Sequence, residues 1–134
     1  MKLDFSINQL LENFAAFDDW EDRYQYLIEL GKFMPPMDEA DKIEKNKVHG
    51  CMSQVWMKAS ITKDGLFDFV ADSDALIVNG LIAVLKIIYG GKTKEEILKI
   101  DIGNIFEKLG LDRHLSLNRR NGFYAMVERI KFFS

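Results

Sequence analysis

The sequence has a single cysteine, Cys51, and only two histidines among its 134 residues. One cysteine cannot form an internal disulfide, so the chain is not a disulfide-stapled secreted scaffold. Zinc and iron–sulfur sites need several Cys or His ligands, and these numbers cannot close such a site unless two copies share it. No glycine-rich phosphate-binding motif is present in the sequence either.

Basic residues are also not in excess, since 18 Lys and Arg face 21 Asp and Glu, for a net charge of -3. A nucleic-acid partner is therefore not expected. The longest nearly apolar run, from Ala75 to Tyr89, is too short to span a bilayer. The first five residues lack the apolar region of a signal peptide. We therefore expect a cytoplasmic protein with no membrane partner.

The length fits one domain, so we expect residues 1–134 to form a single unit. Ser6 and Gln9 have the spacing of a capping box at the start of a short amphipathic helix. Asp18 and Asp19 are candidate caps for a second helix that starts at Trp20. That helix must end near residue 33, ahead of two prolines, and residues 35–47 then form a polar surface loop.

From Ser53 to Thr62 the apolar residues alternate, which predicts a strand with Val55, Met57, Ala59 and Ile61 on one face. Residues 63–65 are a turn signal, and residues 66–71 read as the returning strand of a hairpin. An isolated hairpin is marginally stable, so it needs helices on its apolar face.

The remaining chain is helical. A nearly all-apolar helix is predicted from Ala75 to Tyr89, with residues 72–74 as cap candidates. Further helices follow a capping box at residues 93–96 and cover residues 101–109, and residues 111–118 form a connection before the last helix. The predicted class is α+β, with one antiparallel hairpin packed against N-terminal and C-terminal helices.

Cys51 is the leading candidate for chemistry because it lies between a glycine and a predicted strand. Gly50 can adopt backbone conformations denied to other residues and leaves space beside the sulfur. His49 would lower the pKa of the thiol only if it faced the sulfur, and adjacent residues of an extended segment point apart.

A lone cysteine is often a small buried hydrophobe. A cysteine hydrolase would need His49 or His114 as a base, whereas a thiol peroxidase or redox switch needs one exposed thiolate.

Arg119 and Arg120 precede Asn121 and Gly122 at the start of the last predicted helix. Their ordinary role would be that of solvated arginines in a helix-entry turn. The alternative is an electropositive group that steadies a sulfur anion or docks an acidic partner surface.

The segment Gly50-Cys51-Met52-Ser53-Gln54-Val55-Trp56 resembles the G-C-x-S-x-V-W signature of the SufE family of sulfur-acceptor proteins. Other stretches agree with the family in order along nearly the whole chain. These are Trp20 with Arg23-Tyr24 and Leu30-Gly31, then Ser73-Asp74-Ala75 with Ile77-Val78 and Gly80-Leu81, then Arg119 with Asn121-Gly122. Small departures are Met34, where Leu is commoner, and His49.

The resemblance implies a SufE/IscU-like fold and a sulfur relay. A cysteine desulfurase, which holds the pyridoxal phosphate, would pass persulfide sulfur to Cys51 and be stimulated by it. The sulfur would go on to an iron–sulfur scaffold complex, and the chain itself needs no cofactor and is not an independent enzyme. Cys51 is expected at a shielded loop tip, with Asp74 and Arg119 near the partner surface and His49, Gly50 and Asn121 in support. A homodimer, a thiol peroxidase or redox switch, and a noncatalytic assembly module stay open.

Overall fold

The computed structural model describes residues 6–50 and 53–133. Along these residues, helices precede and follow one antiparallel β-hairpin. The predicted α+β class is therefore confirmed. The elements are α1 (Ile7–Ala15), α2 (Trp20–Lys32), two 3₁₀ turns (Glu39–Asp41 and Glu44–Asn46), β1 (Val55–Ile61), β2 (Phe67–Ser73), α3 (Leu76–Tyr89), α4 (Lys94–Lys99), α5 (Ile102–Lys108), α6 (Leu111–His114) and α7 (Leu117–Phe133).

Helix α3 is the centre of the core. Eleven of its 14 residues are buried, so it is covered on nearly every side, with α2 and β2 as its main neighbours. Glycine permits the contact with α2, because a Cβ added at Gly80 would overlap the carbonyl oxygen of Leu27. The absence of a side chain at Gly80 therefore lets the two helix backbones approach closely.

The hairpin pairs Val55 with Ser73 at its open end and Ile61 with Phe67 beside the turn. Gly65 in the turn has a φ of +79°, a left-handed value that favours glycine. Val55 and Met57 are buried as predicted, but Ile61 is 53% exposed. The apolar face of β1 is therefore buried at Val55 and Met57 and exposed to solvent beside the turn, at Ile61.

Side-chain caps start several helices. The Ser6 Oγ accepts a hydrogen bond from the backbone N–H of Gln9, but the Gln9 side chain donates to Asn13, so only half of the predicted capping box forms. The box between Thr93 and Glu96 is complete. The Thr93 backbone N–H and then its hydroxyl stabilise the Glu96 carboxylate, which lowers the pKa of Glu96.

Two connections are more regular than predicted. Residues 35–47 include both 3₁₀ turns, and Met37 and Asn46 are buried there. The buried Asn46 side chain is satisfied because it donates a hydrogen bond to the backbone oxygen of Asp41. Residues 111–118 contain α6 and the first residues of α7, so the connection between helices is shorter than expected. Within the described residues, no helix has both the length and the apolar character needed to cross a bilayer.

Candidate functional site

The segment that includes the candidate cysteine, residues 48–55, is closed at its base by backbone pairing. The Val48 N–H donates to the Val55 carbonyl oxygen at 2.8 Å, and Lys47 forms an antiparallel bridge with Trp56. The chain therefore leaves and returns at the open end of the hairpin. Cys51 lies outside the described residues, so its loop-tip position and its shielding stay predictions.

The residues that lead into this segment are held against the hairpin by charged groups. The Lys42 Nζ lies 2.8 Å from Asp72 on β2 and 2.7 Å from Glu39. Hydrogen bonds to Asp72 first and Glu39 second raise the pKa of Lys42 to about 12. Lys58 of β1 adds a contact of 3.2 Å to Asp41. The approach to the segment thus has several side-chain anchors on the sheet.

Gly50 and His49 precede the cysteine directly. Gly50 has a φ of +92°, which L side chains rarely adopt, and a Cβ there would lie 3.4 Å from the Cβ of Ala125 on α7. The His49 side chain is 70% exposed, and its Nε2 lies 3.4 Å from a Glu44 carboxylate oxygen. His49 is therefore turned toward solvent and an acidic neighbour.

Asp74 bonds the other end of the segment. Its Oδ1 accepts from the Gln54 N–H at 3.1 Å, and its own N–H donates to the Gln54 carbonyl at 3.3 Å. Asp74 was also a predicted cap of the central helix, but the N-cap residue is Ala75, whose N–H donates to the Ser73 Oγ. The Asp74 carboxylate thus bonds the 48–55 segment instead of the helix end.

A cavity of about 180 Å³ lies beside the far end of the segment. It is mostly apolar, with polar groups from the start of α7, and its lining residues are Ser53, Val78, Leu81, Ser116, Asn118, Arg119, Gly122, Phe123 and Met126. The sequence singled out Arg119 but gave no signal that Ser53 or Val78 would face it.

Arg119 is the polar group of most interest in the cavity wall. Its Nη1 is buried and has no hydrogen-bond partner among the described residues, although arginine nitrogens are normally paired when buried. Its backbone N–H donates to the Ser116 Oγ at 3.3 Å, which fixes the first turn of α7. Asn121 is exposed and is not part of the cavity lining, so the structure does not bring it together with Arg119 there.

Neither histidine lies in the wall of the cavity, where a base for a cysteine hydrolase would be expected. The His114 ring stacks on Trp20, with 4.3 Å between ring centroids, and neither His114 nor His49 lines the cavity. Within residues 6–50 and 53–133, no group of three or more Asp, Glu or His side chains has the geometry to hold a metal ion.

Comparison with known proteins gives a consistent result. The family model SufE, described as the Fe-S metabolism associated domain, matches residues 8–133. An uncharacterized SufE-like protein of Rhizobium meliloti (strain 1021) is 48% identical over 129 residues, covering 94% of this chain and 92% of the relative. An uncharacterized SufE-like protein of Rhizobium etli is 45% identical over 129 residues, covering 94% and 87%.

A solved structure shares the fold. The solution structure of a hypothetical protein from Thermus thermophilus superposes with a TM-score of 0.76, covering 94% of this chain and 90% of that chain. At 23% sequence identity, this similarity extends to the arrangement of the helices and the hairpin.

Proposed function

Because the chain belongs to the SufE family of Fe–S metabolism, we propose that it accepts sulfur from a cysteine desulfurase on Cys51 and delivers it to iron–sulfur cluster assembly. The observation that carries the proposal is the cavity lined by Ser53 and Arg119, since Arg119 also has a buried guanidinium nitrogen without a partner among the described residues. Cys51 is two residues before Ser53, so the length of the chain limits how far its sulfur can lie from this wall.

The proposed step is a thiol–disulfide type of exchange. The Cys51 thiolate attacks the outer sulfur of a persulfide on the desulfurase, the S–S bond of that persulfide breaks, and a new S–S bond forms on Cys51. The desulfurase thiolate leaves, and no net oxidation or reduction occurs. The thiolate is the reactive form, so a nearby cation favours the reaction.

Arg119 fits the part of that cation. A guanidinium is charged at all physiological pH values, and the mostly apolar cavity weakens its solvation and strengthens its attraction for a sulfur anion. Apolar lining residues such as Phe123 and Met126 would keep water and reductants away from a bound persulfide. The chain supplies no pyridoxal phosphate chemistry in this scheme; that cofactor belongs to the partner, which the chain activates by clearing its persulfide.

The test is intact-mass spectrometry of the full chain mixed with a cysteine desulfurase, pyridoxal phosphate and cysteine, without reductant. The desulfurase persulfide is verified in the same mixture. We expect the mass of the chain to rise by whole sulfur atoms, a gain that dithiothreitol reverses and that Cys51→Ser abolishes. The desulfurase should also release alanine faster when the wild-type chain is present, and not when the Cys51→Ser variant replaces it.

Two results would overturn this function. A desulfurase that carries persulfide but transfers no sulfur to the wild-type chain excludes acceptance on Cys51. If peroxide instead converts Cys51 rapidly to a sulfenic acid, a thiol peroxidase or redox switch becomes the better assignment.

A further inference from the structure

Arg129, on the last helix, makes contacts that neither its sequence position nor the proposed transfer step explains. Its Nη2 donates to the Lys45 carbonyl oxygen at 2.9 Å, and its Nη1 donates to the Lys47 carbonyl oxygen at 3.3 Å. Its guanidinium also lies 5.3 Å from the ring centre of Phe133. The guanidinium is thus held between an aromatic ring and two backbone acceptors.

The Lys45 carbonyl belongs to the second 3₁₀ turn, and the Lys47 carbonyl belongs to the bridge that closes the 48–55 segment. Lys47 bridges Trp56, and the next residue, Val48, donates to Val55. A contact at Lys47 therefore acts on the N-terminal side of the base, while Asp74 bonds Gln54 on its C-terminal side.

Helix α7 touches the segment a second time, one turn earlier. Ala125 is four residues before Arg129, so both lie on the same face of the helix. A Cβ at Gly50 would lie 3.4 Å from the Cβ of Ala125, which shows how closely the helix approaches the residue before the cysteine. This face of α7 therefore follows the chain from Lys45 to Gly50.

We propose that Arg129 is a positioning residue, which fixes the base of the 48–55 segment so that Cys51 is presented to the partner's persulfide in a reactive orientation. The inference rests on the proposed sulfur-acceptor function. The hydrogen bonds of Arg129 go to the backbone carbonyls of Lys45 and Lys47, so its effect on Cys51 is indirect, in contrast to the direct electrostatic effect proposed for Arg119. Without the two hydrogen bonds, the base samples more conformations and a smaller fraction of molecules is competent for transfer.

The experiment compares Arg129→Met with Arg129→Lys and with Arg113→Met, a change at an exposed arginine on α6. Two quantities are measured on each full-length variant: single-turnover sulfur transfer from a preloaded desulfurase, and amide hydrogen exchange at Val48 and at Ile82 in the core. For Arg129→Met we expect transfer to slow about tenfold and Val48 exchange to speed up about tenfold, with Ile82 unchanged.

Arg129→Lys should fall in between, because an ammonium can bond only part of what the guanidinium fork reaches. Arg113→Met should match the wild type in both quantities. If Val48 exchanges faster but transfer keeps its rate, Arg129 tethers the segment without positioning Cys51, and the inference fails. Faster exchange at Ile82 as well would mean a general loss of stability and would also overturn it. Transfer that is absent already in the wild type removes the proposed function itself.

Discussion

A buried arginine nitrogen without a partner is unusual, because desolvating a guanidinium costs free energy that hydrogen bonds normally offset. Among the described residues, Arg119 has such a nitrogen in the wall of a cavity next to Ser53. The first turn of α7 holds the residue in place through the Ser116 hydroxyl. Such a group is suited to bind an anion that is present only part of the time, as a persulfide or thiolate would be.

Replacing Arg119 by Met should therefore slow sulfur transfer to Cys51 about tenfold, equivalent to about 1.4 kcal/mol of lost transition-state stabilisation. If Arg119 steadies the thiolate as proposed, the variant should also form less thiolate at a given pH, so alkylation of Cys51 by iodoacetamide should shift to higher pH. Both are measured on the full chain, with Arg113→Met as the control. An alkylation profile that coincides with the wild type would show that Arg119 does not act on the sulfur.

At this scale the sequence was informative about some residues and silent about others. Gly50, Asp74 and Arg119 were singled out by their place in motifs, and each has a defined contact or conformation at the segment or the cavity. Arg129 gave no signal, because a basic residue near a helix end is ordinarily solvated and its acceptors are backbone groups. Nor could residue types alone reveal that Asp74 bonds Gln54 instead of capping α3.

Among the elements, the pair α2 and α3 sets the spacing of the core. Glycines on both helices permit the approach: a Cβ at Gly31 would lie 2.8 Å from the backbone at Asn79 and Gly80, and one at Gly80 would overlap the backbone of Leu27. Since these obstacles are backbone atoms, they cannot move aside as a flexible side chain would. Because α3 also packs on β2, a shift between the helices would be transmitted to the hairpin that closes the 48–55 segment.

Gly80→Ala should consequently lower the free energy of unfolding by about 2 to 3 kcal/mol, since the overpacking exceeds the gain in helix propensity. Gly103→Ala is the matched control. Gly103 is exposed on α5, and a Cβ there meets only an Asp101 carboxylate oxygen at 3.7 Å. That variant should be neutral or more stable by up to about 1 kcal/mol. Urea unfolding measures both, and equal effects would contradict the close packing of α2 on α3.

Element prediction succeeded where the pattern was local. Period-two alternation located β1, and capping residues located the starts of α2 and α4. For residues 35–47 it gave the surface loop but missed the two 3₁₀ turns and the burial of Met37, because that burial and the hydrogen bond from Asn46 to Asp41 are tertiary contacts without a periodic signature. The exposure of Ile61 likewise depends on where the covering helices end, which alternation cannot indicate.

For the molecule as a whole, the core is continuous around α3, and among its described residues it includes the unsatisfied hydroxyl of Tyr89. The Tyr89 ring is completely buried, and its hydroxyl has no hydrogen-bond partner among the described residues. Burial, followed by the negative charge of Glu128, raises the pKa of Tyr89 to about 12. The folded state therefore keeps this phenol neutral at pH values where an unfolded chain would ionise it.

Tyr89→Phe should raise the free energy of unfolding at pH 7 by about 1 kcal/mol, because it removes a desolvated hydroxyl and keeps the ring. The wild type should also lose stability as pH rises from 10, the ordinary phenol value, toward 12, and the variant should lack this loss. The difference in free energy of unfolding between Tyr89→Phe and the wild type should therefore grow as pH rises above 10.

Tyr26→Phe is the control with the opposite sign. The Tyr26 hydroxyl accepts a hydrogen bond from Asn13 at 2.9 Å, so its removal should destabilise the protein by about 1 kcal/mol at pH 7. Urea unfolding at several pH values measures both variants. A Tyr89→Phe variant that is as destabilised as Tyr26→Phe would mean that the Tyr89 hydroxyl is satisfied in solution.

The contacts of Arg129 have a consequence for the order in which the protein is made. The guanidinium and the Lys45 carbonyl are separated by 84 residues, so this hydrogen bond closes a loop that includes the hairpin and most of the helices. During synthesis the cysteine leaves the ribosome long before the helix that braces its surroundings exists. The nascent chain therefore contains the Cys51 thiol before the Arg129 hydrogen bonds can form, and sulfur acceptance should begin only after α7 has docked.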